Sequence, residues 1–352
     1  MVHTYIVTNI YHNKLHIFLK MNIDWNKLSK IVNKSNKIVL STHINPDGDG
    51  LGSEVAMYYY LKNLGKDCRI INISDLSEKY YFLNKNNIIE TYKEQNHESW
   101  ISDCDLAMIF DIGNYTRLGD IATVIKDNNI LNISIDHHPS DDTFFSDRFL
   151  DITAPATGFL VWKYFKHIKL DLSKDMSEAL YAALINDTGS FRYNSTTPEC
   201  HIMAKEILER GVKPYDVFAN IYESRTLPQV RLLSAVINSL NIVDEFVCIK
   251  ITQKMLTDCN AQLEDVDGFT DFARSIKGIE VAFMLSEVNT NKFRINFRSR
   301  GKYIINDIAQ YFNGGGHKLA AGASVDNVTL EELEKEIFNM LNKKKDSHVN
   351  KI

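Results

Sequence analysis

Long apolar runs, paired cysteines and an excess of basic charge are all missing from this 352-residue chain. No stretch approaches the roughly 18–20 apolar residues that cross a bilayer, which predicts no membrane partner. The five cysteines, Cys68, Cys104, Cys200, Cys248 and Cys259, form no CxxC pair and are expected to be reduced thiols in a cytoplasmic protein. Forty Lys and Arg face forty-five Asp and Glu, a net charge of −5, which argues against a groove for a long duplex. A nucleotide-sized phosphate remains compatible, because bound metal ions supply positive charge locally. No internal repeat of the solenoid kind is present. The first twenty residues are broken by Thr8, Asn9, His12 and Lys14 and make a poor signal peptide.

What is there has the composition of a globular chain, 44% hydrophobic and 24% charged, and the length suggests about two domains. KIVLSTH (37–43), CRIINIS (68–74), LAMIFDIG (106–113) and LNISIDHHPS (131–140) read as apolar strands separated by helical or polar stretches. That alternation predicts a parallel sheet covered on both faces. The organisation expected is an extension over 1–21, a larger α/β domain over 22–212, a helical linker over 213–240, a smaller α/β domain over 241–343 and a tail over 344–352.

Three strand ends deliver acids and histidines to one edge: His43, Asp47 and Asp49 after the first, Asp111 after the third, and Asp136, His137 and His138 after the fourth. Asp187 follows the apolar helix ALYAALI. In open α/β sheets the carboxyl ends of the strands form the ligand crevice. Mixed carboxylate and imidazole donors suit divalent ions such as Mn²⁺ or Mg²⁺, and two such ions clamp the attacking and leaving oxygens of a phosphoryl transfer. Gly48 and Gly50 are expected to turn the loop so that Asp47 and Asp49 point inward. In FRINFRSR (293–300), period-2 alternation sets Arg294, Asn296, Arg298 and Arg300 on one face. The GGGH run (314–317) is expected to bring backbone N–H groups to an anion, as a loop before a helix does. Arg117, in NYTRLGD, reads equally as a phosphate contact or a structural residue.

THINPDGDGLGS, FDIG, DHHP and INDTGSF resemble, in order, the four motifs of the DHH phosphoesterase superfamily, and the second half, ending GGGHKLAAGAS, resembles its DHHA1 domain. The length fits the superfamily's oligoribonuclease and pAp-phosphatase group. The resemblance implies one metal ion on His43, Asp47 and Asp111 and a second on Asp49, Asp111, His137 and Asp187, with Mn²⁺ expected and Mg²⁺ or Co²⁺ as alternatives. It implies that Asp136 orients a ligating imidazole and that His138 faces the substrate phosphate. Arg294, Arg298, Arg300, Gly315, Gly316 and His317 are then the substrate-binding candidates of the second domain. The function expected is two-metal hydrolysis of short RNA or DNA oligonucleotides and dinucleotides such as pApA to 5′-mononucleotides, and of pAp to AMP, in the cleft between domains. A stand-alone cyclic-di-AMP phosphodiesterase is the alternative; a non-catalytic nucleotide sensor ranks below it. A homo-oligomer is left open.

Overall fold

The structure is a computed structural model and describes residues 23–140 and 142–349; the expected N-terminal extension lies outside the described residues. The chain divides into two units, the first ending at Ser224 and the second beginning at Arg225. In the first, six strands pair in parallel: β1 (Lys37–Ser41), β2 (Asp67–Asn72), β3 (Ile89–Thr91), β4 (Leu106–Phe110), β5 (Leu131–Asp136) and β6 (Asp147–Leu150). Their order is β3-β2-β1-β4-β5-β6, so the strand order reverses between the neighbours β1 and β4. The carboxyl ends at such a switch point leave a crevice that no crossover helix fills.

Eight helices accompany this sheet among the described residues: α1 (Trp25–Lys34), α2 (Gly48–Asn63), α3 (Glu94–Ser102), α4 (Asp120–Asp127), α5 (Thr157–His167), α6 (Lys174–Asp187), α7 (Pro198–Glu209) and α8 (Pro214–Tyr222). Both faces of the sheet are buried. Ile38, Leu40, Met108, Phe110, Ile133 and Ile135 share a core with α1, α2 and α5 to α8, whereas Val39, Ala107 and Ile109 pack on α3 and α4. Two apolar faces explain why β1 and β4 read as unbroken apolar runs instead of alternating ones.

The second unit holds a six-stranded mixed sheet: β7 (Asn241–Val243), β8 (Phe246–Ile251), β9 (Val281–Asn289), β10 (Lys292–Ser299), β11 (Gly315–His317) and β12 (Ala320–Asp326). Its order is β11-β12-β10-β9-β8-β7, with β8 and β9 parallel and the other pairs antiparallel. Helices α9 (Leu227–Ile237), α10 (Gln253–Cys259) and α11 (Phe269–Arg274) line one core, and α12 (Asn306–Tyr311) and α13 (Leu330–Val349) the other.

Residues 213–240, read as a linker, are helical but shared out. Val217 and Ile221 of α8 join the first core, and Leu232 and Val236 of α9 join the second. Where a tail was expected from 344, α13 continues to Val349. No helix among the described residues is long and apolar enough to cross a membrane.

Candidate metal centre

All six predicted ligands converge at the switch point. Ligand atoms of His43, Asp47 and Asp111 lie within 4.8 Å of one another, and so do those of Asp49, His137 and Asp187. Asp111 stands between the two sets, its Oδ2 3.5 Å from His43 Nε2 and its Oδ1 3.5 Å from His137 Nε2. His137 Nε2 also faces Asp187 Oδ2 at 3.1 Å and Asp49 Oδ2 at 3.7 Å. Asp111 directly follows β4 with a φ of 54°, a left-handed conformation that few non-glycine residues adopt. Strain of this kind persists where the surroundings over-determine it, and here it falls on the carboxylate that stands between the two clusters.

The local sequence explains how each acid is held. Asp47 is the N-cap of α2: its Oδ1 accepts from Asp49 N at 2.9 Å and Gly50 N at 3.3 Å. The glycines of this motif do not make the turn, as the sequence suggested. Gly48 already belongs to the helix, and neither it nor Gly50 has a positive φ. They allow close packing instead: a Cβ on Gly50 would sit 2.3 Å from Thr42 Oγ1, and one on Gly52 2.3 Å from the Ala179 carbonyl of α6. Thr42 Oγ1 in turn donates to the Phe110 carbonyl at 2.8 Å, tying the end that carries His43 to the end that carries Asp111.

Asp49 is fully buried, and its carboxylate accepts from Thr157 N at 2.6 Å and Gly158 N at 2.8 Å, the first N–H groups of α5. Thr157 Oγ1 reaches Asp111 Oδ1 at 3.2 Å. Sequence reasoning missed Thr157 and Gly158; the pair reads only as an ordinary start to an apolar helix.

The two histidines of DHH are oriented differently from expectation. Asp136 Oδ1 accepts from His138, through Nδ1 at 2.9 Å and the backbone N at 3.0 Å, and not from the ligating imidazole. His137 is instead fixed by the Ala154 carbonyl, 3.1 Å from its Nδ1. That contact keeps the proton on Nδ1 and leaves Nε2 bare toward three carboxylates. His137 Nε2 is buried with no hydrogen-bond partner. An orphaned imidazole nitrogen ringed by carboxylates fits a divalent cation of the hard or borderline class.

The electrostatics agree. Burial pushes Asp47 up to about 6, reinforced by the charges of Asp111 and Asp187, and the same causes raise Asp49 well above the usual carboxylate range. Burial acts on Asp111 too, but the facing imidazoles of His137, His138 and His43 outweigh it and hold that carboxyl well below the usual range. His43, His137 and His138 are all raised: burial opposes their charge, and the surrounding carboxylates, Asp111 above all, overcome it.

The DHH family N-terminal domain profile matches residues 37–184, and the DHHA1 domain profile matches residues 249–345. The chain is a DHH–DHHA1 protein. It is similar to the bifunctional oligoribonuclease and PAP phosphatase NrnA of Thermus thermophilus, 27% identical over 84% of this chain and 86% of the relative. The Bacillus subtilis protein of the same name is 24% identical over 85% of this chain and 92% of its own. Among solved structures, an exopolyphosphatase-related protein from Bacteroides fragilis superposes with a TM-score of 0.87 at 25% identity, covering 92% of this chain and 97% of that one. The chain is a hydrolase of the DHH phosphoesterase family.

In the DHHA1 domain the alternation of β10 is as expected: Phe293, Ile295 and Phe297 are buried, Arg294 is exposed and Arg298 is half-buried. Arg298 Nε meets Asp271 Oδ2 at 3.3 Å. Arg300 lies past the strand, and its Nε and Nη2 donate to the Arg274 carbonyl at 3.2 and 2.9 Å, closing the end of α11. The GGGH run does not precede a helix; residues 315–317 form edge strand β11 and turn back into β12. Its glycines serve different ends. A Cβ on Gly314 would sit 2.1 Å from the Gly322 carbonyl, and Gly316 has a φ of 127°, but a Cβ on Gly315 would meet nothing within 4 Å. His317 ends this strand, in register with Ala320.

Proposed function

We propose that this DHH–DHHA1 protein is a two-metal phosphodiesterase that converts very short oligonucleotides such as pApA to 5′-mononucleotides, and pAp to AMP and phosphate. The observation that carries this reading is the position of Asp111, one carboxylate within reach of both ligand clusters. One ion would be held by His43, Asp47 and Asp111, the other by Asp49, Asp111, His137 and Asp187, and the donor chemistry favours Mn²⁺ over softer ions. Bound there, the ions supply a lowered pKa for water and a counter-charge for the phosphate oxygens.

The protein's own groups supply the rest. Asp136 fixes His138 through Nδ1, so that this imidazole is presented to a phosphate oxygen as charge develops. Buried carboxylates anchored on α5 keep the ligand positions fixed through turnover. In the DHHA1 domain, Arg294 and Arg298 offer guanidinium groups to the 5′-phosphate, and open Gly315 lets a nucleoside approach the backbone. His317 joins them by its place in the motif; its side chain lies outside what the structure describes.

The substrate pair follows from one bond. Splitting pNpN into two 5′-mononucleotides breaks P–O3′, and so does removing the 3′-phosphate of pAp. A site that grips a 5′-phosphorylated nucleoside therefore accepts a second nucleotide or none. The names of the Thermus and Bacillus relatives pair the same two activities. Hydrolysis of pApA, pAp, cyclic-di-AMP and a five-mer, compared with Mn²⁺ present, tests this. Comparable turnover of pApA and pAp, with the five-mer slower, is expected. Faster cleavage of cyclic-di-AMP than of pApA would overturn it.

A further inference from the structure

One residue joins the segment after β4 to the segment after β1 by two contacts. The Arg117 carbonyl accepts from Ile44 N at 2.8 Å, and the Arg117 Nη2 lies 2.9 Å from His43 Nδ1. Arg117 stands on the short 3₁₀ turn Tyr115–Leu118, whose start is fixed by Asn114 accepting from Thr116 N. Its side chain is exposed at the rim of the metal centre, and its described polar contact is with an imidazole, not a carboxylate.

The contacts on His43 exclude each other. Its Nδ1 is also 2.8 Å from the Ile44 carbonyl. A guanidinium only donates and a carbonyl only accepts. A proton on Nδ1 therefore serves Ile44 and collides with the Arg117 N–H, whereas a bare Nδ1 accepts from Arg117 and faces the carbonyl lone pairs. His43 turns Nε2 toward Asp111, so Nδ1 is the ring nitrogen left for Ile44 and Arg117. His43 Nδ1 thus satisfies one of these neighbours at a time, and the guanidinium is not tied to the ring as it would be to a carboxylate. A donor fork so placed, at the rim of the metal centre, suits bidentate contact with phosphate oxygens.

We infer that Arg117 is a phosphate-binding residue of the DHH domain, its guanidinium able to turn from His43 to the non-bridging oxygens of the substrate phosphate. The inference rests on the phosphoesterase reading above. It is tested on the full chain with wild type, R117A and R117K by three measurements: steady-state kinetics on pAp at saturating Mn²⁺, calorimetric Mn²⁺ affinity without substrate, and affinity of the Mn²⁺-loaded chain for inorganic phosphate. For R117A, KM is expected to rise and phosphate affinity to fall by about tenfold or more, with R117K in between. Mn²⁺ affinity should hold or tighten, since a cation beside a ligand has gone. Weakened Mn²⁺ binding with KM and phosphate affinity unchanged would make Arg117 a support for His43 and overturn the inference, as would no change in any of the three. If wild type hydrolyses neither pAp nor pApA but binds phosphate in an Arg117-dependent way, the substrate reading fails and the assignment of Arg117 stands.

Discussion

The two domains present their candidate residues in opposite ways. In the DHH domain the ligands are buried or nearly so at the ends of parallel strands, and each is gripped by a neighbouring element: Asp47 by its own helix start, Asp49 by α5 and His137 by the Ala154 carbonyl. In the DHHA1 domain they lie on an edge strand and an open strand face, and two of the three arginines are already engaged, Arg298 with Asp271 and Arg300 with the end of α11. Groups that must hold fixed charge at short range are placed by topology and held by burial. Groups that meet a variable ligand stay at the surface, where sequence periodicity gives the face but not the partners.

The largest effect should come from breaking the shared position. Asp111→Asn is expected to lower turnover of both pApA and pAp by more than about 100-fold, with circular dichroism and melting showing the fold intact. Retention of more than about a tenth of the activity would remove the two-cluster account.

Next, the division of labour can be sharpened by opposing kinetic signatures. His138→Ala should cut kcat by about 100-fold or more and leave KM near wild type, because its contact strengthens as charge develops. Gly315→Val should raise KM and spare both kcat and stability, since no protein atom opposes a side chain there. Gly314→Ala should instead destabilise the β11–β12 hairpin, because its Cβ would strike the Gly322 carbonyl. The reverse pattern for His138 and Gly315 would exchange the roles of the domains.

Smaller effects separate the arginines. Arg298→Ala should raise KM, whereas Arg300→Ala should leave KM alone and cost about 1 kcal/mol of stability by uncapping α11, read from denaturant melts. An Arg300→Ala variant with raised KM and unchanged stability would return Arg300 to the binding site.

The smallest effect concerns a buried acid beneath the metal centre. Burial pushes Glu54 from 4.5 up to about 8, against a hydrogen bond from Asn72 that favours its carboxylate. Between those values the folded chain holds a proton that the unfolded chain has released. The contribution is therefore full below about 4.5 and lost as pH rises through about 8. Glu54→Gln should melt like wild type at pH 5 and higher than wild type at pH 8. Equal melting at both would show the carboxyl to be solvated.

Much of the DHH domain was legible because strand ends in a parallel sheet share one edge, so order along the chain becomes proximity in space. Five of the six metal-ligand candidates came together for that reason, and Asp187 joins them from the end of α6. What stayed illegible were partners chosen by the third dimension. His137 and His138 are adjacent in sequence, and nothing there tells which one Asp136 holds. Thr157 and Gly158 anchor Asp49 through backbone groups, which leave no mark of their partner in a sequence. The glycines of the first motif signalled a turn but serve close packing, since a missing Cβ answers both needs alike. The short strands β3 and β6 carry too few residues for a period to show.

The central claim is that one carboxylate joins two cation sites in the DHH domain. Calorimetric titration of metal-free chain with Mn²⁺, run on wild type and Asp111→Asn, tests it most directly. Two ions per wild-type chain are predicted, with both weakened together in Asp111→Asn because each cluster loses the same charge. A single ion in wild type, or an unchanged pair in the variant, would contradict it.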